Sequence, residues 1–532
     1  MSRTRRSPAE VFVHALEPEH QSCRVCGKAA WVAYHTKRTL TRLDGTYQLI
    51  LTIRRCRNQS CSQFHQPYRP EEEGAWALPH GEFGLDIIAL IGNLRYVHHR
   101  SIPEIHQELS QRGVRIAERS VTNLLARYEE LVTLHLTNQA RLHEILIAQG
   151  QVILALDGLQ PDVGHEVLWV LRDCLSGEVL LARSLLSASE TDLATLLREV
   201  QLSLPVPIGG MVSDGQHSIR NAVHATLPNI PHQLCHFHYL REAAKPVYEA
   251  DRHAKKELKK YIRGIRPLER SIEQDKGTEA EVIHGYCLAV RSALTDDGRP
   301  PLSAPGLKLH ERISQIVASL ARLAKKGNLP RELERMQFFL TKGLVETAPL
   351  WSDVKLGYAW VHRAAQFLTN DNQQNAADVR QAYETLLAEM EQAPASSDVL
   401  TTMLTTFRKV TASYWPGLFH CYDVVHLPRT NNDLEQYFGS ARYHERRITG
   451  RKRASPGYVV RGAVRAVASV ASRLHSFSTV ELRLTETARW RTLRRELDAR
   501  HEARRKQHRF RKSPEAYLAD LEEKLIKERL PT

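Results

Sequence analysis

Four cysteines near the start of the chain come in two pairs, CRVC at 23–26 and CRNQSC at 56–61. Paired thiols held on turns are the ligand set of a closed, tetrahedral zinc centre that keeps no coordination position for a substrate. Cys23, Cys26, Cys56 and Cys61 are therefore expected to hold one structural Zn²⁺. The second pair is more widely spaced than the first, and His65 is near enough in sequence to replace one thiolate. Between the pairs, WVAYHTKRTLTRLDGTYQLILTIRR alternates β-formers on both sides of Asp44-Gly45, a dipeptide that favours hairpin turns. Two cysteine pairs joined by a hairpin make a zinc ribbon.

Two aspartates carry a second signature. VILALDG (152–158) is a short apolar run ending at Asp157, and IGGMVSDG (208–215) ends in the same way at Asp214. HEVLWVLRD and EVLLARSL read as two strands between them. ETDLATLLREVQLSL reads as a helix, with Leu193, Leu196, Leu197 and Val200 on one face. A helix over HSIRNAVHATL, the strand HQLC and a helix from HFHYLREA follow, so the order is βββαβαβα. Three antiparallel strands and a crossover helix bring the fourth strand parallel to the first and beside it. Asp157 and Asp214 would then emerge at one edge of the sheet. Carboxylates that close repel unless a proton or a cation joins them, and oxygen ligands suit Mg²⁺ or Mn²⁺. The simpler alternative is that each Asp caps the helix after it.

A third acid stands in unusual company. RTNNDLEQYFG (429–439) is followed at once by RYHERRITGRKR (442–453). Locally, Asn431 or Asn432 would cap a helix whose first turn favours Asp433 and Glu435. Alternatively, Glu435 serves a metal ion, and Arg446, Arg447, Arg451, Lys452 and Arg453 meet a phosphate backbone.

Taken together, LDG at Asp157, VSDG at Asp214, CHFH at 235–238 and TNNDLEQYFG at Glu435 resemble the signature of DDE transposases. More specifically, they resemble the bacterial insertion-sequence enzymes related to Mutator-like elements, whose catalytic core has the ribonuclease H-like fold. The resemblance implies that Glu435 is the third acidic ligand, reached through a long helical insertion. It implies that Asn431 and Asn432 hold the start of its helix, while Asp433 points elsewhere. Cys235 and His238 would lie near the site, where His238 either positions a phosphate or base or packs as a structural histidine. Two Mg²⁺ or Mn²⁺ ions on Asp157, Asp214 and Glu435 would support DNA cleavage and strand transfer by in-line displacement. Two other functions fit the fold: a domesticated DNA-binding regulator, and a nuclease that lacks strand transfer.

The totals agree with a nucleic-acid partner. The chain has 532 residues, with 74 Lys and Arg against 60 Asp and Glu, a net charge of +14 that favours a polyanion. No apolar run is long enough to span a bilayer, and MSRTRRSPAE lacks the apolar segment of a secretory signal. A cytoplasmic bacterial protein, nucleoid-associated when on DNA and without a membrane partner, is the expectation. Between 83 and 131, FGLDIIALIGNL, SIPEIHQELSQRG and a segment with Val121, Leu124, Leu125, Tyr128 and Leu131 read as three helices. The last two, turning at Gly113, fit helix-turn-helix geometry, with Arg119, Thr122, Asn123 and Arg127 facing outward to DNA. An ordinary three-helix packing module would show the same pattern.

The expected fold is a multidomain α+β and α/β chain. It comprises a zinc ribbon (1–75), a helix-turn-helix domain (80–145), a ribonuclease H-like core in two parts (150–245 and 426–480), an all-α insertion (246–425) and a basic helical C-terminus (481–532). Double-stranded DNA, both terminal inverted repeats and target, is the partner the resemblance implies, bound by a homodimer or higher oligomer.

Overall fold

The computed structural model of the chain describes residues 11–160, 166–273, 277–393, 397–431, 439, 443, 446–448, 450 and 456–529. The molecule is mixed α/β, mostly helical, with two small sheets. It divides into two compact units. The first comprises Met1–Gln151, Asp157–Pro207 and Asp433–Thr532, and the second Val152–Leu156 and Ile208–Asn432. Among the described residues no helix is long and apolar enough to cross a membrane.

The first unit opens with a sheet of β1 (Val11–Leu16), β2 (Ala30–Arg42), β3 (Gly45–Cys56) and β4 (Pro67–Tyr68). Strand β3 pairs parallel with β1 and antiparallel with β2, and the hairpin register Arg42↔Gly45 puts the turn at Leu43-Asp44, one residue before the Asp-Gly dipeptide. Leu16, Leu40, Leu49, Leu51 and Ile53 fill its core.

Helices Leu85–Tyr96, Ile102–Gln111 and Glu118–Leu136 follow. Ser101 starts the second with a capping box closed by Glu104, which satisfies amides that a helix start leaves unpaired. Their apolar faces share one core with Val467 and Ala468 of the Pro456–Leu474 helix and with Trp490 of the Thr487–Lys512 helix. The segment expected as a basic tail from 481 therefore begins as packed structure. Its Trp490 and Leu497 are buried, and an apolar residue on a cationic helix needs just such a face. Beyond Arg500 the cations are solvent-facing, among them Arg505, Lys506, Arg509, Arg511 and Lys512.

A buried ionic cluster ties these helices together. Glu129, fully buried, accepts from Arg461 Nε (2.5 Å), Arg465 Nε (3.0 Å) and the Tyr96 hydroxyl (2.7 Å). Glu130 beside it accepts from Trp490 Nε1 at 2.9 Å and from Arg127. Arg127, expected to face outward, is half-buried and shares the buried Glu130 carboxylate with Arg461. Arg119, Thr122 and Asn123 are exposed, as expected.

The second sheet crosses the division within strand β5 (Val152–Leu159). On the side of the first unit lie β6 (Val167–Asp173) and β7 (Val179–Leu185), an antiparallel pair, and the Glu190–Ser203 helix. In the second unit, Val152–Leu156 pairs parallel with β8 (Ile208–Ser213), and β8 pairs parallel with β9 (His232–Leu234). The order along the sheet is β7-β6-β5-β8-β9. After β9 and the His236–Ala243 helix, the second unit is helical from Lys245 to Tyr414, with apolar cores around Tyr239, Tyr383 and Phe407 and around Leu258, Ile313 and Leu340.

Burial alone would raise the Glu129 carboxyl, but Arg465 and Arg461, helped by the Tyr96 hydroxyl, pull it down to about 2 from an ordinary 4.5. A depressed folded-state value stabilises the fold fully above pH 4.5, and that contribution is lost as pH falls through about 2. Arg461→Met, which keeps the aliphatic bulk and removes the charge, should lower unfolding stability near neutral pH by about 3 kcal/mol. Its stability should also fall less steeply on acidification than that of the wild type. Denaturant titrations of both proteins across the acid range check this; parallel pH curves would refute it.

Candidate functional site

The N-terminal cysteines form a compact cluster. Their four sulfur atoms lie within 4.8 Å of one another, the one such group of potential metal ligands among the described residues. Cys23 and Cys61 are 3.8 Å apart and Cys26 and Cys56 3.6 Å. A tetrahedral zinc–thiolate centre with bonds of about 2.3 Å sets its sulfurs about 3.8 Å apart, so the four residues fit the ion. Local backbone makes this possible. Gly27 adopts φ +68°, which turns the chain so that the Lys28 carbonyl accepts from the Cys23 amide at 2.8 Å. In the second pair, Cys61 N–H donates to the Asn58 carbonyl, a turn that brings the distant thiol back to Cys56. Amides of Asn58 and Gln63 point at the Cys56 and Cys61 sulfurs, each at 3.4 Å. His65, the alternative ligand, is outside the cluster.

The thiols are not equivalent. The Lys28 amide draws Cys26 down to about 6. At Cys56 the Asn58 amide also favours the thiolate, but burial and the neighbouring thiols outweigh it and push the group up to about 12. Four anionic sulfurs this close need a cation to coexist. These residues could hold a metal such as zinc.

The strand-end aspartates are placed by register. Leu156 of β5 pairs with Ser213 of β8, and Ser213 with Leu234 of β9. The next residues along the three strands are Asp157, Asp214 and Cys235. Asp157 is buried and its Oδ1 accepts from the Gly158 amide at 2.7 Å. Asp214 is half-buried, and its Oδ1 accepts from the Gln216 amide at 3.1 Å, just ahead of the His217–Thr226 helix. Gln216, not Asp214, is the N-cap of that helix and no side chain caps it, so Asp214 closes a turn ahead of the helix with one oxygen of its carboxylate.

Asp214 opens onto a cleft of about 550 Å³ whose walls include His217, His238, Arg241, Glu242 and Tyr414. Gly215 belongs to its wall, and a side chain there would stand 2.0 Å from the Tyr414 ring. Burial, then the charges of Glu242 and Asp214, holds the Tyr414 hydroxyl above its usual range, so it remains a donor. Of the CHFH motif, Cys235 is fully buried and His238 lines the cleft. His236 is lowered to about 4 by burial and is neutral, donating from Nε2 to the Leu418 carbonyl at 2.7 Å. Arg241 and Glu242 were not singled out in the sequence, although they follow His238 by three and four residues on its helix. Tyr414 had no local signal, being brought in by a helix far along the chain.

Asn431 is buried, and the segment it is expected to cap lies outside the described residues. Its Nδ2 donates to the Leu156 carbonyl at 3.0 Å, and its backbone N–H points at the Cys235 sulfur at 3.4 Å. Arg446 and Arg447 are exposed. Asn432, Asp433, Glu435, Arg451, Lys452 and Arg453 lie outside the described residues.

Purified protein should carry about one tightly bound Zn²⁺ per chain. Cys23→Ser/Cys26→Ser should abolish it, whereas His65→Ala should keep it. Metal analysis together with the thiolate charge-transfer band of the Co²⁺-substituted protein reads both; zinc lost from the His65 variant would replace the four-cysteine centre with a mixed one. No protein-family model matches the chain and no curated protein does, which leaves the chemistry of its own residues as the ground for a function.

Proposed function

We propose that the chain is a DDE transposase of a bacterial insertion sequence, with Asp157, Asp214 and Glu435 as its acidic ligands. The observation that carries this reading is the register Leu156↔Ser213, after which each of two adjacent parallel strands continues directly into an aspartate. Strand order β7-β6-β5-β8-β9 supports a ribonuclease H-like core, since three sequential strands and a crossover returning past the first produce that order. A long helical stretch separates Asp214 from the TNNDLEQYFG motif, as the resemblance requires.

The donor set is all carboxylate, which fits Mg²⁺ or Mn²⁺ better than softer metals. Bound there, two such ions would activate the attacking oxygen and stabilise the leaving 3′ oxygen of one phosphodiester. The protein's own part is to fix the acids on strand ends and to present His238, Arg241 and Tyr414 around Asp214, where cationic and neutral donors can meet phosphate oxygens. Water is the attacker in cleavage and a freed 3′ hydroxyl in joining, so one site serves both without a nucleotide cofactor. Exposed Arg119, Thr122 and Asn123, the cations after Arg500, and Arg446 and Arg447 are the groups read as DNA contacts. The zinc centre, closed by four thiolates, has a structural role in this reading, and the active assembly is a homodimer or larger on the element's ends.

Asp157→Asn, Asp214→Asn and Glu435→Gln keep side-chain shape and remove charge. Each should lower Mg²⁺-dependent cleavage and strand transfer by on the order of 10²–10³-fold or more. A plasmid carrying the reading frame with its flanking DNA is the substrate, and zinc content and DNA binding should stay near wild type. Asp433→Asn should retain activity and lose at most about 1 kcal/mol of helix-start stability. Activity surviving in all three acid variants would end the proposal; a dead Asp433 variant beside an active Glu435 variant would move the third ligand.

A further inference from the structure

The Lys245–Ile262 helix is strongly two-sided. Val247, Ala254, Leu258 and Ile262 are buried on one face at helical spacing. Two charged residues on that side are consumed internally: Asp251 accepts the Gly306 and Leu307 amides at 2.7 and 2.8 Å, and Lys255 Nζ reaches Asp297 at 2.7 Å. The other face carries Lys245, Arg252, Lys256 and Lys260, continued by Arg263 at the helix end, and all five are solvent-exposed. Their spacing of seven, four, four and three residues lines them up along one side. At about 1.5 Å per residue, the row from Lys245 to Arg263 is about 27 Å long.

The row does not stand alone. Four residues before Lys245 is Arg241, exposed and in the wall of the Asp214 cleft, and only Ala244, itself in helical conformation, separates the two helices. From 241 to 266 the chain holds nine Lys and Arg (241, 245, 252, 255, 256, 259, 260, 263, 266) and four acids (242, 249, 251, 257). Of those acids, Asp251 is buried, Glu257 pairs with Lys260 at 2.6 Å and Glu242 bonds to Tyr414. Glu249 is the one acid left on the exposed face. A solvated helix face ordinarily alternates charge to pair with itself; this one has cations in excess of acids, and Lys260 is the one member of the row in such a pair among the described residues.

We propose that Arg241, Lys245, Arg252, Lys256, Lys260 and Arg263 form a track for the phosphate backbone of duplex DNA, leading away from the Asp214 cleft. The track gives the helical insertion a function of its own: to hold the duplex beside the bond being cut. An anion-lined partner protein would find no apolar anchor among these side chains, whereas regularly spaced phosphates match a row of cations without one. The inference rests on the transposase reading for its purpose, but its test does not.

Lys245→Gln/Arg252→Gln/Lys256→Gln in the full chain should leave the thermal midpoint unchanged, since all three side chains are exposed. Binding to a synthetic duplex, followed by fluorescence anisotropy in EDTA over a salt series, should weaken. The slope of log affinity against log salt should become shallower by about 2.7, or about 0.9 per cation removed. The single variant Lys256→Gln should shift it by about 0.9. A triple variant with the wild-type slope overturns the track. If that result accompanied an inactive Asp214→Asn protein, the track would be wrong and the cleft reading would stand. A reduced slope with cleavage intact in Asp214→Asn would support the track and remove the transposase reading.

Discussion

Parallel pairing between Val152–Leu156 and Ile208–Ser213 sets the position of nearly every group with chemical potential in the second unit. Both strands are buried, so their register is fixed by apolar packing as well as by the ladder, and a slip of one residue would invert every side chain. The next strand, β9, locks on in turn, with Cys235 N–H donating to the Ser213 carbonyl at 2.9 Å. Asn431 then returns from the far end of the helical stretch and hydrogen-bonds to the last carbonyl of this edge, that of Leu156. His236 N–H donates to the Arg429 carbonyl at 3.0 Å, so the returning segment is held at both residues 429 and 431. Residues far apart in sequence are thereby anchored to one sheet edge by hydrogen bonds buried from water.

This geometry explains why polar groups are tolerated there. The Gly158 and Gln216 amides each donate to an aspartate at a strand end, which offsets part of the cost of taking a carboxylate out of water. The zinc-type cluster answers the same electrostatic problem differently. There the thiols have their own amide donors and enclose the space between them, which leaves nothing for a substrate to approach.

The sequence made some of this legible and hid the rest for identifiable reasons. Apolar runs ending in Asp157 and Asp214 announced two strands because buried parallel strands need continuous hydrophobicity. The cysteine cluster was readable from pairing alone, although the wide 56–61 spacing left His65 open until the Asn58 turn was seen. Helical periodicity places Arg127 outward and does not show its pairing with Glu130, a carboxylate buried by residues more than 300 positions away. Trp490 was similarly lost inside a run dominated by Arg and Glu. For Asn431, local sequence offers no sign that its amide would reach back to Leu156. Long-range packing, rather than local propensity, decided each of these.

The central proposal is that Asp157, Asp214 and Glu435 serve as ligands of a divalent cation. Fe²⁺ substitutes for Mg²⁺ in oxygen-ligand sites and, with ascorbate and peroxide, cuts polypeptide backbone close to where it is bound. Mapping the fragments from the zinc-loaded, full-length protein by mass spectrometry tests the claim without requiring a known DNA substrate. Scission near residues 157, 214 and 435, competed away by excess Mg²⁺ and absent in Asp214→Asn, is the expected result. Scission confined to other segments, or unchanged in Asp214→Asn, would contradict it.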